Sequence, residues 1–452
     1  MKNKIFLLTL LIFSQLVAAQ NFNGAWSGLL QLPGAELHLV FNVSNNNATY
    51  LTTLDSPDQG AKDIAVTTTT VTNSTIKFEI PAGKLSYQGT LKNDTIVGMF
   101  SQNGLNLKLT LTKNNAITAE PARIQEPKPP FDYYTEEIVF ENKNQKNKLA
   151  GTYSRPKKEG KYPVVILISG SGPQNRDEAL FGHKPFLVLA DYLTKHGIAV
   201  LRYDDRGVGK STGDFKTATS ADFAADVTSA IDYLKTRTDV DTKKIGLVGH
   251  SEGGLIAPMV AAKNKEVQFI VLLAGPALKG DKLLLLQKEK IEKSIGISDN
   301  EIEKGQRIFS ELYKIMATNK DNEAIATYLT NLKDAGFTKN QIDAIVNQLN
   351  SPWMRFYINY DPKRALLQTK CALFALNGEN DLQVPFRENL DQIHAIMSQT
   401  KNKNVKLKSY PKLNHLFQTS VTGSIAEYKT IDETIAPQVL QDIYEWIDTQ
   451  IK

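Results

Sequence analysis

The chain has 452 residues, 41% of them apolar and 22% charged, with a formal net charge of +5. That length allows two domains with their own cores, and that balance excludes an intrinsically disordered chain. The charge drops by two if Lys2 and Lys4 leave with a leader, and no dense Lys/Arg run follows to track a phosphate backbone, so nucleic acid is not an expected partner.

Met1 to Gln20 has a basic start (Lys2, Lys4), an apolar centre from Ile5 to Val17, and small residues at Val17-Ala18-Ala19. This pattern predicts a signal peptide over 1–19, cut after Ala19, because the apolar run is too short to span a bilayer comfortably. The single cysteine, Cys371, has no partner for an intramolecular disulfide, and no cysteine follows the predicted cut to carry a lipid. The mature chain is expected to be exported, periplasmic or secreted, without a stable membrane anchor.

Residues 20–115 are rich in Thr, Asn, Val and Leu and alternate with period 2, as in Leu37 to Val43 and Leu105 to Leu111, with Asn/Gly/Asp turns between. Alternation of that kind predicts a small antiparallel β domain, a sheet or half-barrel with one face buried. Its Trp26, His38 and Tyr87 are expected to fill or edge that core rather than line a ligand site. Residues 116–130 carry Pro121, Pro127, Pro129 and Pro130 among charged residues, which predicts an extended linker. No internal repeat is present.

From residue 131 to 452 strand-like and helix-like segments alternate. Eight candidate strands run over 137–142, 150–154, 164–169, 198–203, 245–248, 269–274, 372–376 and 405–410, the later ones as continuous apolar runs. Helical periodicity falls at 185–196, 220–236, 254–263 and 387–400. The alternation predicts an α/β fold, a mostly parallel sheet with helices on both faces. A charged, helix-patterned stretch at 278–369 interrupts it between the sixth and seventh strands and predicts a cap over the carboxyl ends of the strands.

Gly249-His250-Ser251-Glu252-Gly253 lies between the apolar run Ile245 to Val248 and the helical stretch from Gly254. A G-x-S-x-G in strand–turn–helix context presents its serine at a sharp, strained apex, which marks Ser251 as a nucleophile rather than a solvated turn residue. A serine hydroxyl needs a base, and the base needs an orienting carboxylate. Of six histidines, His415 follows the last strand and completes the chain order Ser, Asp/Glu, His; His250, adjacent to the nucleophile, is expected to point away from it. Glu379 and Asp381 both follow the seventh strand, and Asp381 is preferred. Ser169-Gly170-Ser171-Gly172-Pro173 follows the third strand, so the N–H groups of Ser171 and Glu252 are the expected oxyanion donors. A phosphate-binding turn fits less well, since no G-x-G-x-x-G pattern follows. Arg202 to Ser211 lacks P-loop spacing and reads as a structural, charged turn.

Together, Gly249 to Gly253, Asp204 to Ser211, Asn377 to Val384 and Asn414-His415 resemble the α/β-hydrolase superfamily. Ser169 to Glu178 and Phe181 to Phe186 are similar to a group of bacterial exported serine esterases that also carry an N-terminal β-rich domain. The departure is Ser169, where a histidine often precedes the oxyanion glycine. The resemblance implies an α/β-hydrolase fold, a Ser251–Asp381–His415 triad and hydrolysis of a small-molecule carboxylic ester. A serine peptidase or acyltransferase on the same triad, or an inactive hydrolase-fold binding protein, are the alternatives.

Trp353, Phe356 and Tyr357, in the aromatic run at the end of the cap, either wall a substrate pocket or pin the cap to the body. His183 is a candidate at the pocket border, and Arg176 and Asp177 are expected to buttress the oxyanion loop. No metal or cofactor is expected, since no ligand spacing such as H-E-x-x-H occurs. The sequence leaves the oligomeric state open.

Overall fold

The computed structural model describes residues 21–32, 35–46, 49–57, 61–102, 105–114, 123–318, 322–331 and 339–452. The expected signal peptide and residues 116–122 of the expected linker lie outside them. The chain divides into two compact units, the second containing everything from Thr118 onward.

The first unit is one antiparallel sheet of nine strands: β1 (Gly24–Leu32), β2 (Ala35–Asn46), β3 (Thr49–Ser56), β4 (Ala61–Ala65), β5 (Thr68–Thr72), β6 (Thr75–Ile80), β7 (Leu85–Lys92), β8 (Thr95–Gln102) and β9 (Leu105–Asn114), in the order β4-β3-β2-β1-β9-β8-β7-β6-β5. Period-2 alternation explains its one-sided core: in β6 Ile76, Phe78 and Ile80 are buried, and in β7 Leu85, Tyr87 and Leu91. Phe41 of β2 stacks on Phe78 of β6 with ring centroids 4.4 Å apart, although four strands separate β2 from β6 in the sheet. The sheet therefore curls until its apolar face meets itself, as a twisted sheet of this width tends to do. Trp26 and Tyr87 are fully buried in that interior. The Trp26 indole donates to the Phe22 carbonyl at 2.6 Å, and the Tyr87 hydroxyl lies 3.1 and 3.2 Å from the Ile96 and Leu109 carbonyls. Both are core residues with their polar atoms satisfied.

The second unit holds β10 (Tyr134–Asn142), β11 (Asn147–Arg155), β12 (Tyr162–Ile168), β13 (Ala199–Tyr203), β14 (Val240–His250), β15 (Val267–Leu273), β16 (Ala372–Gly378) and β17 (Val405–Tyr410), ordered β10-β11-β13-β12-β14-β15-β16-β17. β10 and β11 run antiparallel to their neighbours; from β13 to β17 every pairing is parallel. This is the eight-stranded, mostly parallel sheet that the alternation of strand and helix patterns predicted. Val164 to Ile168 are all buried because alternate residues feed two cores. On one face α2 (Ser220–Lys235), α3 (Glu252–Ala261) and α10 (Phe386–Met397) cover Val164 and Ile166; on the other α1 (Pro185–Lys195) and α12 (Pro437–Ile451), which follows the single turn α11 (Ile425–Tyr428), cover Val165 and Leu167. A capping box starts α2, where Thr219 and Asp222 satisfy each other's backbone N–H. α12 is missing from the sequence reading, although Val439, Leu440, Ile443, Trp446 and Ile447 are spaced for one helical face.

Between β15 and β16 lie α4 (Gly280–Ser294), α5 (Asp299–Thr318), α6 (Asn322–Asn331), α7 (Lys339–Leu349), α8 (Pro352–Asn359) and α9 (Lys363–Gln368). Leu312, Tyr313, Met316, Ile325, Leu329, Leu349 and Ile358 give these helices a core of their own. Among the described residues no helix is long and apolar enough to cross a membrane.

The described end of the Pro-rich segment differs from a free spacer. Arg123 is buried, and its guanidinium donates to the carbonyls of Ile431 and Lys429 at 2.6 and 2.8 Å and to Gly182 at 3.2 Å. Gln125 accepts from Thr434 N and donates to Ile435 O. A fork of five donors surrounded by carbonyls holds extended chain in place without regular structure.

Candidate active site

Ser251 stands between β14 and α3 with φ 52° and ψ −117°, a conformation that a non-glycine residue adopts only when its surroundings enforce it. The enforcement comes from both flanks. A Cβ on Gly249 would stand 2.1 Å from the Gly253 carbonyl oxygen, and one on Gly253 would stand 2.0 Å from the Ile168 carbonyl oxygen. Ser251 N donates to Leu273 O at 2.8 Å, so the turn is also tied to the neighbouring strand.

The loops after β16 and β17 bring Asp381 and His415 together. Asn414 is fully buried and its side chain binds Leu416 N, Gln418 N and the Gln418 side chain, which closes a tight turn with His415 inside it. His415 Nδ1 lies 2.8 Å from Asp381 Oδ2. Asp381 is buried, and its other oxygen accepts from Gln383 N and Val384 N at 2.8 and 2.9 Å. With only acceptor capacity, that carboxylate places the proton on Nδ1 and leaves Nε2 as the basic nitrogen. Glu379, the other candidate, is exposed and bonds Ser409 Oγ.

On the opposite side runs the loop after β12. Gly170 sits so close to the nucleophile that a Cβ there would stand 3.3 Å from Ser251 Cβ. The Gly170 N–H is spent on Glu178 Oε1 at 2.6 Å, which leaves the next one, that of Ser171, on the exposed lip of the loop. Two ion pairs tie this loop to β13 and the turn after it: Arg176 grips the Asp204 carboxylate at 2.8 Å, and Asp177 pairs with Arg202. Arginine beside Asp204 outweighs the cost of its burial and holds its carboxyl below the usual range. Asp205, fully enclosed, accepts from Ser169 Oγ and Gln174 N; burial, with Glu252 and Glu178 nearby, pushes its carboxyl well up. The charged turn after β13 thus clamps the loop after β12.

Three more side chains have partners that the sequence does not show. The ring of His250 is buried, with Nδ1 2.9 Å from Glu178 Oε1 and Nε2 3.0 Å from the His415 carbonyl. Glu178 has no signature in the sequence, since one glutamate at the end of a polar run carries no spacing signal. His183, expected at the pocket border, is instead buried, with Nδ1 on Thr434 Oγ1 and Nε2 on Tyr428 O, both at 2.9 Å. Both ring nitrogens are used by the fold, so none remains for a ligand. Burial, opposed by the Tyr428 carbonyl, lowers its pKa and keeps it neutral.

In the cap, α8 divides its aromatics. Met354 and Ile358 face the cap core, while Trp353 and Tyr357 pack with Leu255 of α3, Leu283 of α4 and Val384. Trp353 stacks on Tyr357 at 4.8 Å, and its indole N–H donates to Glu252 Oε1 at 2.7 Å. Tyr357 is buried, whereas Trp353 and Phe356 are partly exposed. Glu252 also accepts from Ser220 Oγ at 2.6 Å, and burial raises its pKa. Among the described residues no three His, Cys, Asp or Glu side chains converge as a metal site.

Comparison with known proteins adds three likenesses and a family. Esterase EstD of Thermotoga maritima is 25% identical over 318 residues, 70% of this chain and 69% of the relative. Esterase Pf2001 of Pyrococcus furiosus aligns with a TM-score of 0.43 and 17% identity over 70% of this chain and 93% of its own. Est1E of Butyrivibrio proteoclasticus, solved with ferulic acid bound, aligns with a TM-score of 0.41 and 17% identity over 70% and 99%. Residues 184–419, more than half of the chain, match the serine aminopeptidase S33 family (Hydrolase_4). The chain therefore belongs to that family of α/β-hydrolases.

Proposed function

We propose that the chain is a serine carboxylesterase that hydrolyses small to medium acyl esters through an acyl-Ser251 intermediate. The observation that carries this reading is the buried 2.8 Å bond between His415 Nδ1 and Asp381 Oδ2, in the same unit as a serine held at positive φ. Ser251 Oγ bonds the ester carbonyl carbon while His415 Nε2 takes its proton. The resulting oxyanion is met by the N–H groups of Ser171 and of Glu252, whose place at the start of α3 leaves its N–H without a helical acceptor. The C–O bond breaks and the alcohol leaves with the proton from His415. Water then adds to the acyl carbon as His415 takes a proton, and the carboxylic acid departs as Ser251 regains its hydroxyl. Trp353 and Phe356, the accessible aromatics of α8, are the proposed pocket wall. Export, to the periplasm or beyond, belongs to the same reading and rests on residues 1–19.

The name of the family favours a second reading, an aminopeptidase using the same three residues; the esterase relative favours the first. Hydrolysis of p-nitrophenyl esters from acetate to long acyl chains, beside aminoacyl p-nitroanilides and the Ser251→Ala variant, separates them. Ester turnover that falls with chain length and vanishes in the variant is expected. Faster turnover of the anilides would make the peptidase the better reading, and equal turnover in the variant would remove Ser251 from its role.

A further inference from the structure

Glu178 and His250 form a buried pair that the triad chemistry does not use. Both are almost wholly enclosed, Glu178 at 2% and His250 at 6% exposure. Glu178 has φ 50°, so strained backbone occurs here as well as at Ser251. Its Oε1 lies 2.6 Å from the Gly170 N–H that it accepts and 2.9 Å from His250 Nδ1. His250 Nε2 donates to the His415 carbonyl and Nδ1 faces the Glu178 carboxyl, so a charged ring has an oxygen partner at each nitrogen. Burial opposes this charge, and Glu178, the His415 carbonyl and Asp381 together outweigh it and raise the His250 pKa.

Two ionisable side chains are costly to bury and such a pair is a weak source of stability, so its retention calls for another reason. The connections supply one. Glu178 is bonded to the loop that carries Ser171, His250 precedes the nucleophile in the chain, and His250 holds the backbone of the proposed base. Gly170 lies between the pair and the nucleophile: a Cβ on it would stand 3.2 Å from Glu178 Oε1, 3.6 Å from His250 Nδ1 and 3.3 Å from Ser251 Cβ. We propose that the Glu178–His250 pair is a positioning device that locks the oxyanion loop and the His415 loop to the nucleophile turn, and so fixes where the Ser171 N–H and the His415 ring stand when Ser251 attacks. This rests on the serine-hydrolase reading above.

The test is a double-mutant cycle on p-nitrophenyl acetate with Glu178→Gln, His250→Gln and both together, with Ser251→Ala as reference. Misplacing the donor and the base should lower kcat by about 10²-fold with KM little changed. The double variant should be no worse than either single one, because the two act as a unit. Affinity for a boronic acid that forms a tetrahedral adduct on the serine should weaken in step with kcat. Full kcat in Glu178→Gln beside an inactive Ser251→Ala would overturn this inference and leave the esterase reading standing. Lowered melting temperature with unchanged kcat per folded molecule, or losses that simply add, would make the pair structural and overturn it too. Activity retained by Ser251→Ala would bring down both.

Discussion

The two sheets are nearly equal in strand number and opposite in what they bury. The nine-stranded sheet encloses apolar side chains and aromatic stacks, and its described buried polar side chains are Thr52 and Ser56. The eight-stranded sheet buries Glu178, His183, Arg202, Asp204, Asp205, Arg206, Asp226, His250, Glu252, Asp381 and His415. Many of these sit just past the carboxyl ends of parallel strands, where a buried strand must hand over to a loop and the loop needs polar partners. Burying ionisable groups costs stability unless they are partnered, so their concentration in one unit marks where the molecule keeps its chemistry. Period-2 packing alone suffices for the other sheet.

The sharpest way to break this contrast is to strike Ser251, the proposed nucleophile. Ser251→Ala should lower kcat by about 10⁶-fold, judged by the loss of a triad serine elsewhere, with the melting temperature nearly unchanged. Asp381→Asn should cost about 10⁴-fold, through the wrong His415 tautomer. The reverse experiment belongs in the first sheet: Phe78→Ala removes one ring of the stack with Phe41 and Tyr87 and should destabilise that unit by about 3–5 kcal/mol in chemical denaturation. A loss under 1 kcal/mol there would mean that the curled face is loosely packed.

This contrast also sets how much was legible. Alternation of Ile76, Phe78 and Ile80 reads directly as a half-buried strand, and the apolar run Val164 to Ile168 reads as one buried on both faces, because side-chain period follows from backbone geometry. The serine turn was readable because Gly249 and Gly253 are demanded by backbone approaches of about 2 Å. His250 and Glu178 were not. Their 72-residue separation carries no period, and only the pairing of β12 with β14 brings the two loops together. His183 failed for the same reason, its partners Tyr428 and Thr434 lying about 250 residues away. The helix α12 is the opposite case, since Val439, Leu440, Ile443, Trp446 and Ile447 carry its helical period in the sequence itself.

Trp353 tests whether the cap shares in the chemistry of the second sheet or only packs like the first. Trp353→Ala should change the ratio of short-chain to long-chain ester turnover more than it changes the melting temperature. Trp353→Phe keeps a ring on Tyr357 and removes the donor to buried Glu252, and should cost about 1–3 kcal/mol. Stability lost in both variants with unchanged selectivity would make Trp353 a packing residue.

The smallest expected effect comes from the proton on Glu252. Burial raises its native pKa above the ordinary 4.5, so the folded state holds the proton more tightly than the unfolded one. Its contribution to stability is therefore full below the unfolded value and is lost as pH rises through the native one. Asp204 runs the other way: its lowered pKa gives stability above the unfolded value that is lost on acidification. Glu252→Gln keeps an oxygen for Ser220 and Trp353 and deletes only the titration. The melting temperature of the variant minus that of the parent should accordingly rise as pH is raised above 4.5, and no other carboxylate needs to be changed to see it. A flat difference would mean that Glu252 is ionised inside the folded protein, with its two donors offsetting the burial, and the second sheet would then hold one more matched charge instead of a neutral acid.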